Sequence, residues 1–371
     1  MNDNLAHPFP RAGWRNALGG LLLAATASLA HAPASAQGYA GLGTEAEGFA
    51  LPSPETNFSF PRDHGPHPDF RIEWWYLTAN LSGEDGNEYG IQWTLFRSAL
   101  QPGEADGWDS PQIWMGHAGL TTPDAHFVAE RLARGGIGQA GVSAHPFEAW
   151  IDDWQMRQTG GSTATLGSLS LSARGEGFGY DLSLQSDGPL VFQGNDGYSV
   201  KSPDGQASYY YSQPFYRITG TLSLADGPVR VTGEGWLDRE WSSQPLSETQ
   251  DGWDWISLHL ATGAKLMGFR LRDRAGEPFT SATWIDPDGT AFPYSDGHLS
   301  LTPLAASDVS GADIPTSWQV DLPDRALSVT LSALNPQSWM STSFPYWEGP
   351  VMISGTHSGR GYLEMTGYGP E

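Results

Sequence analysis

Helical spacing of apolar residues is almost absent from this chain. No stretch of three helical turns repeats them at i, i+3, i+4 and i+7 with caps at its ends; short alternating segments dominate instead. Arg71 to Leu81, Tyr89 to Arg97, Leu166 to Ala173, Gly179 to Gln185 and Tyr216 to Leu224 read this way, as do Val229 to Leu237, Trp253 to Leu260, Lys265 to Asp273 and Ala326 to Leu334. Turns drawn from 46 Gly and 27 Pro separate them. Alternation lets a strand bury one face, so many short alternating segments predict a sandwich or barrel. With 16 Trp, 13 Tyr and 15 Phe the chain has the apolar bulk for a real core and is no disordered acid.

The pattern also occurs twice. Trp74-Trp75-Tyr76-Leu77-Thr78, a Gly-bearing turn and Ile91 to Arg97 match Trp253-Asp254-Trp255-Ile256-Ser257, a similar turn and Leu266 to Arg272. Ala118 to Asp124 matches Ala282 to Asp288. Ile218-Thr219-Gly220-Thr221 with Val231-Thr232-Gly233 matches Ile353-Ser354-Gly355-Thr356 with Met365-Thr366-Gly367. One such pair arises from hairpin composition alone; three in the same order indicate duplication. The expected architecture is all-β, with two antiparallel barrels over residues 57–240 and 241–371. About eight strands per half suffice to close a sheet, which removes its edges and leaves room inside for one small ligand.

Arg11 and Arg15 precede an apolar run from Ala17 to Ala30, and Ala34-Ser35-Ala36 supplies a small-residue cleavage pattern. The segment 1–36 therefore reads as an export signal, 37–56 as an extended arm, and the location as periplasmic or secreted. Cysteine is absent, which excludes thiol catalysis, thiolate-held metal and lipid attachment through cysteine. A net charge of −23 repels nucleic acid and anionic lipid. No G-x-S-x-G elbow, P-loop, H-E-x-x-H or dinucleotide fingerprint occurs, so no cofactor or metal is expected.

Several residues could carry chemistry. On a strand, Glu73, Trp75 and Leu77 share one face and Trp74, Tyr76 and Thr78 the other, and neither face is polar. Glu73 is either a rim acid paired to Arg71 or Arg97, or stands with Trp75 at a cavity mouth. In Gly233 to Gln244, Trp236, Asp238 and Glu240 share a face and Trp241 follows. Two carboxylates beside Trp are either bridged across a domain boundary or held in a dry site, where one becomes a proton donor. Tyr209 and Tyr211 are core aromatics or a pocket wall with polar tips. Asp254, between two tryptophans, stands where the first repeat has Trp75. His64 and His67 lack a third ligand nearby, and His117 reads as a core histidine.

These motifs carry a resemblance. His67-Pro68-Asp69-Phe70-Arg71-Ile72-Glu73-Trp74-Trp75-Tyr76 resembles the opening signature of the AttH/CrtC-like proteins, relatives of carotenoid 1,2-hydratase. Ala207 to Ser212, Trp236 to Gln244, Gly252 to Trp255 and Gly359 to Tyr368 resemble its later motifs. The resemblance implies two lipocalin-like domains and either a cofactor-free hydratase or an accessory protein of a membrane transport system. The family's hydratases carry Tyr-x-Asp where this chain has Trp236-Leu237-Asp238, and His-x-Trp about where it has Tyr209-Tyr210-Tyr211. Asp238 carries over; the His and Trp do not. The expected activity is addition of water to an apolar, polyene-like substrate. Asp238 would be the acid, with Glu73, Trp75, Tyr209, Tyr211, Trp236, Glu240, Trp241 and Asp254 around the ligand. A non-catalytic carrier of a hydrophobic ligand is the alternative, and shallow glycan binding a third.

Overall fold

The alternating segments form two antiparallel sheets in the computed structural model, which describes residues 47–55 and 57–368. The expected export signal, 1–36, and the first part of the expected arm lie outside the described residues. The first sheet opens with four strands: β1 (Ile72–Gly83), β2 (Glu88–Ala99), β3 (Gln112–Thr121) and β4 (His126–Arg134). Five more follow: β5 (Ala140–Ala144), β6 (Phe147–Ile151), β7 (Trp154–Gly160), β8 (Ser168–Gly175) and β9 (Phe178–Ser186). Two short strands, β10 (Val191–Phe192) and β11 (Tyr198–Val200), precede the long pair β12 (Ala207–Leu224) and β13 (Gly227–Ser242). The second sheet holds β14 (Gln250–Leu260), β15 (Lys265–Asp273), β16 (Phe279–Ile285), β17 (Ala291–Tyr294) and β18 (Ser300–Val309). It continues with β19 (Ala312–Leu322), β20 (Leu327–Ala333), β21 (Trp339–Met340), β22 (Tyr346–Gly355) and β23 (Gly359–Met365). The halves join within 243–249.

Strand order shows the duplication. The first sheet runs β4-β3-β2-β1-β13-β12-β9-β8-β7-β6-β5; the second runs β17-β16-β15-β14-β23-β22-β20-β19-β18. In each, a four-strand meander opens the half and the last strand returns to pair with the first. Short strands hang off the penultimate one: β10 and β11 on β12, β21 on β22. The first two repeated motifs fall on equivalent places, the opening hairpin and the next turn, and Ile218 to Thr221 is equivalent to Ile353 to Thr356. The last part of the third motif is corrected by the register: Gly233 lies opposite Leu81 as Gly359 lies opposite Leu260, whereas Met365 lies opposite Asp254 and so corresponds to Arg239. The first sheet curls into a barrel, with β2 and β3 facing β6 and β8 across its core, and the second into a half-barrel. The end strands β4 and β5 have no ladder between them, so packing across the core closes the barrel.

Three apolar cores result. Trp75, Leu77, Ala79 and Leu81 of β1 point into the first barrel with Trp93, Trp154 and Tyr180. Ile256, Leu258, Trp318 and Trp347 fill the second. The third lies between the halves and takes the other faces of the same strands: Tyr76, Tyr210 and Trp236 from one sheet, Trp255, Met267, Phe269 and Tyr362 from the other. This third core explains why neither face of β1 is polar.

Candidate functional site

The third core is not filled. A cavity of about 210 Å³ remains in it. Strand register determines what faces this space. In the first half β1 pairs Tyr76 with Asp238 and Trp74 with Glu240, and β12 pairs Ser212 with Asp238 and Tyr210 with Glu240. In the second, Trp255 pairs with Glu364 and Glu348 with Glu364. Superposing the repeats makes Glu364 the counterpart of Asp238, Trp255 of Tyr76, and Tyr346 of Tyr210. All six line the cavity, one set from each sheet. Trp74, Trp253, Phe96, Phe269, Leu246 and Leu271 supply most of its apolar wall, and the exposed Ser98 and Phe344 mark its solvent side.

Asp238 is 2 % exposed. Its Oδ1 accepts from Trp236 Nε1 at 2.7 Å and from Ser212 Oγ at 2.5 Å; its Oδ2 accepts from Tyr210 Oη at 2.6 Å. Three donors favour the charged form, yet burial outweighs them, and the carboxyl is pushed up to about 7. The neighbouring Glu240 adds to the rise. Glu240 itself is paired to Lys201 Nζ at 2.8 Å and accepts from Ser208 Oγ. Lys201 lies over the rings of Tyr210 and Phe269, 4.9 and 4.2 Å from their centroids. Tyr210 Oη accepts from Trp255 Nε1 at 3.1 Å, which ties the acid to the second half.

The counterpart acid is placed alike. Glu364 accepts from Trp253 Nε1 at 2.5 Å, and burial pushes it up to about 7. Tyr76 Oη donates to Glu348 Oε1 at 2.5 Å across the interface, and burial and then Glu364 push Glu348 well above the usual carboxylate range. Two buried, protonatable acids thus line one largely apolar cavity, an arrangement in which a carboxyl can act as a proton donor.

The remaining residues singled out in the sequence divide by strand face. Glu240 and Trp236 share Asp238's face, Trp236 as one of its hydrogen-bond donors. Glu73 reaches the cavity's edge, but its carboxylate is engaged by Arg97, by Arg239 Nη2 at 2.8 Å and by His67 Nδ1 at 3.1 Å. Its pKa is raised by burial but lowered further by the two guanidiniums, so it is ionised. Trp75, Tyr211 and Trp241 point to the opposite side, into the end of the first barrel: Trp241 stacks on His67 and Arg239 sits over Trp75. Tyr209 packs beside Trp241, and its hydroxyl accepts from the backbone N–H of Ser53 in the arm. Asp254 points into the second barrel and is bridged by Arg270 and Arg272 at 2.8 and 2.7 Å.

Tyr210, Tyr76, Trp255, Lys201, Glu348 and Glu364 were not singled out in the sequence. Alternation from Asp238 across two ladders would have found Tyr210 and Tyr76, and the repeat alignment would have added Trp255. A second concavity of about 660 Å³ lies over hairpin residues Ser82–Glu84, Thr219–Thr221 and Arg230–Thr232, away from these acids.

The comparisons agree with this architecture. A crystal structure of an AttH protein from Nitrosomonas europaea matches with a TM-score of 0.77 and 30 % identity, covering 87 % of this chain and all of that one. Kievitone hydratase from Nectria haematococca matches with a TM-score of 0.65, covering 86 % of this chain and 96 % of that one; at 13 % identity it shows the fold. No match is found among curated proteins. The AttH-like family model matches residues 51–368, the two barrels and the acid-lined space between them included. This chain belongs to the AttH-like family.

Proposed function

We propose that this protein is an exported, cofactor-free hydratase that adds water to a C=C bond of an apolar, isoprenoid-like substrate held between the two barrels. One observation carries the reading: a carboxyl buried in an aromatic cavity and kept near neutrality, Asp238. Protonating an isolated alkene needs an acid that is still protonated near neutral pH, a dry site, and π-faces beside the developing cation. When Asp238 is protonated, its O–H turns toward Tyr210 Oη or toward the substrate. Transfer to an alkene carbon breaks the Asp238 O–H bond, forms a C–H bond, and leaves positive charge on the adjacent carbon. Trp74, Trp253 and Trp255 offer π-faces to that charge, and water completes the addition.

The test uses squalene, lycopene and geranylgeraniol as probes, in ¹⁸O-labelled water. Wild type is expected to add one labelled water to at least one probe. Asp238→Asn is expected to lower that rate by about 10²–10⁴-fold, the range of a lost general acid. Undiminished hydration by the variant would remove the proposal.

A carrier role is favoured by a different feature: all three donors around Asp238 are satisfied as in a structural buried acid. It would show as quenching of Trp emission by the same probes, without turnover, and with affinity unchanged in Asp238→Asn.

A further inference from the structure

The second half contributes its own tyrosine to the cavity, and that tyrosine is backed by groups the acid side does not use. Tyr346 Oη lies 3.0 Å from His117 Nδ1, and His117 Nε2 lies 3.2 Å from Glu130 Oε1. Tyr346 and His117 both line the cavity; His117 is 1 % exposed, whereas the Glu130 side chain is 23 % exposed and reaches solvent. Gln92 Nε2 donates to Tyr346 Oη at 3.3 Å. The series spans β3, β4 and β22, so it exists only when the halves are packed.

The donor directions follow from chemistry. Glu130 is held down to about 2, by His117 first and by hydrogen bonds from Ser343. As a carboxylate it only accepts, so His117 Nε2 carries the proton and Nδ1 is left as an acceptor. Tyr346 then donates its hydroxyl proton to Nδ1, and Glu348, which also hydrogen-bonds Tyr346 and is kept protonated by burial, donates to the Tyr346 oxygen. Burial pushes the His117 pKa below its usual value, so the ring rests neutral and can take a proton. Hydroxyl, imidazole and carboxylate in this order are how a hydroxyl facing a substrate is made basic. A purely structural reading has Glu130 clamping the loop before β22, through Ser343 N and Oγ at 2.9 and 2.8 Å. That clamp needs neither a buried imidazole nor a phenol at the cavity wall.

We propose that Tyr346, backed by His117 and Glu130, is the base of this cavity and takes the proton of the water whose addition Asp238 initiates. The inference rests on the hydratase reading. As the water oxygen bonds to the cationic carbon, one water O–H breaks and its proton passes to the Tyr346 oxygen. The Tyr346 proton moves to His117 Nδ1, giving an imidazolium beside the Glu130 carboxylate. The imidazolium loses its Nε2 proton to solvent at Glu130, the ring returns by tautomer exchange with solvent to its resting Nε2–H form with Nδ1 bare, and Asp238 regains a proton from solvent. The substrate gains H and OH, and the protein is unchanged. Tyr346 is the catalytic group; His117 and Glu130 position it and receive its proton.

Deuterated water separates the two arms. With the three probes, wild type is expected both to place deuterium on carbon and to hydrate. His117→Gln and Tyr346→Phe are expected to keep deuterium incorporation within about threefold while hydration falls about 10²-fold or more. Asp238→Asn is expected to lose both. Equal loss of both activities in the His117 and Tyr346 variants, or loss of neither, would overturn the base assignment while leaving the acid standing. Wild type inert toward every probe would sink the hydratase reading and the base role with it. A second measurement does not need turnover: long-range ¹H–¹⁵N spectra, with His117→Gln for assignment, should show Nε2 protonated and Nδ1 bare at neutral pH. Tyr346→Phe should shift the Nδ1 resonance and Glu130→Gln the Nε2 resonance. A protonated Nδ1 in the neutral ring, or an Nδ1 indifferent to Tyr346→Phe, would refute the relay.

Discussion

Asp238 is kept in the form that costs least where it sits. Its folded-state pKa of about 7 lies above the 3.8 of an exposed aspartate, so the fold binds this proton more tightly than the unfolded chain does. The stability this contributes is fully present below about pH 4, falls as pH rises toward 7, and is gone above it. Asn imitates the protonated acid: its oxygen accepts from Trp236 and Ser212, and its NH₂ donates to Tyr210. Asp238→Asn is therefore expected to match wild type at pH 4 and to be more stable at pH 8, by at most on the order of 4 kcal/mol. Urea melts at the two pH values measure this; a variant less stable than wild type at pH 8 would contradict it. Stabilisation with loss of turnover is what a functional buried acid should show. At this scale the sequence was partly legible. Asp238, Glu240 and Trp236 stood out because two acids alternate beside indole on one strand face. Glu364 did not, because its neighbours in sequence, Leu363 and Met365, look like any core strand.

Strands carry the same lesson through close approach. Gly90 of β2 lies where the halves touch: a Cβ there would come 2.6 Å from Pro350 Cγ and 2.9 Å from Tyr362 Oη. Pro350 is part of β22, the strand that also presents Tyr346, so no side chain fits without moving that strand. Gly90→Ala is expected to cost about 1–3 kcal/mol, as overpacking does. It should also displace Tyr346 from His117, visible as a change in the His117 ring resonances. Gly276→Ala, where a Cβ meets nothing within 4 Å, is the matched control and should be near neutral. An equal effect of the two substitutions would show that the contact at Gly90 is slack. Alternation placed most strands well, because burial of one face in two is a local property of sequence. It could not say that β4 and β5 lack a ladder between them, since that depends on how far the sheet curls.

For the whole molecule the third core has a thermodynamic consequence. Trp255 bonds Tyr210, Tyr76 bonds Glu348, and Lys201 lies over Phe269, so neither half keeps its outer face satisfied alone. The described residues of both halves also belong to one compact unit. Unfolding is expected as one cooperative transition, with Trp fluorescence and far-UV circular dichroism coincident in urea. Two separated transitions would show that the interface is weak and the cavity adaptable. The sequence by itself determined the strands, their duplication and the family signature, because alternation, turn chemistry and repeat order are written within tens of residues. Only the tertiary structure decided that the hollow lies between the barrels, that Tyr210 and not Tyr209 or Tyr211 meets Asp238, and that the second half contributes acids and a tyrosine. Those facts depend on register and on the packing of two sheets, which bring together Tyr76 and Glu348 from 272 residues apart. No local pattern encodes a meeting at that separation.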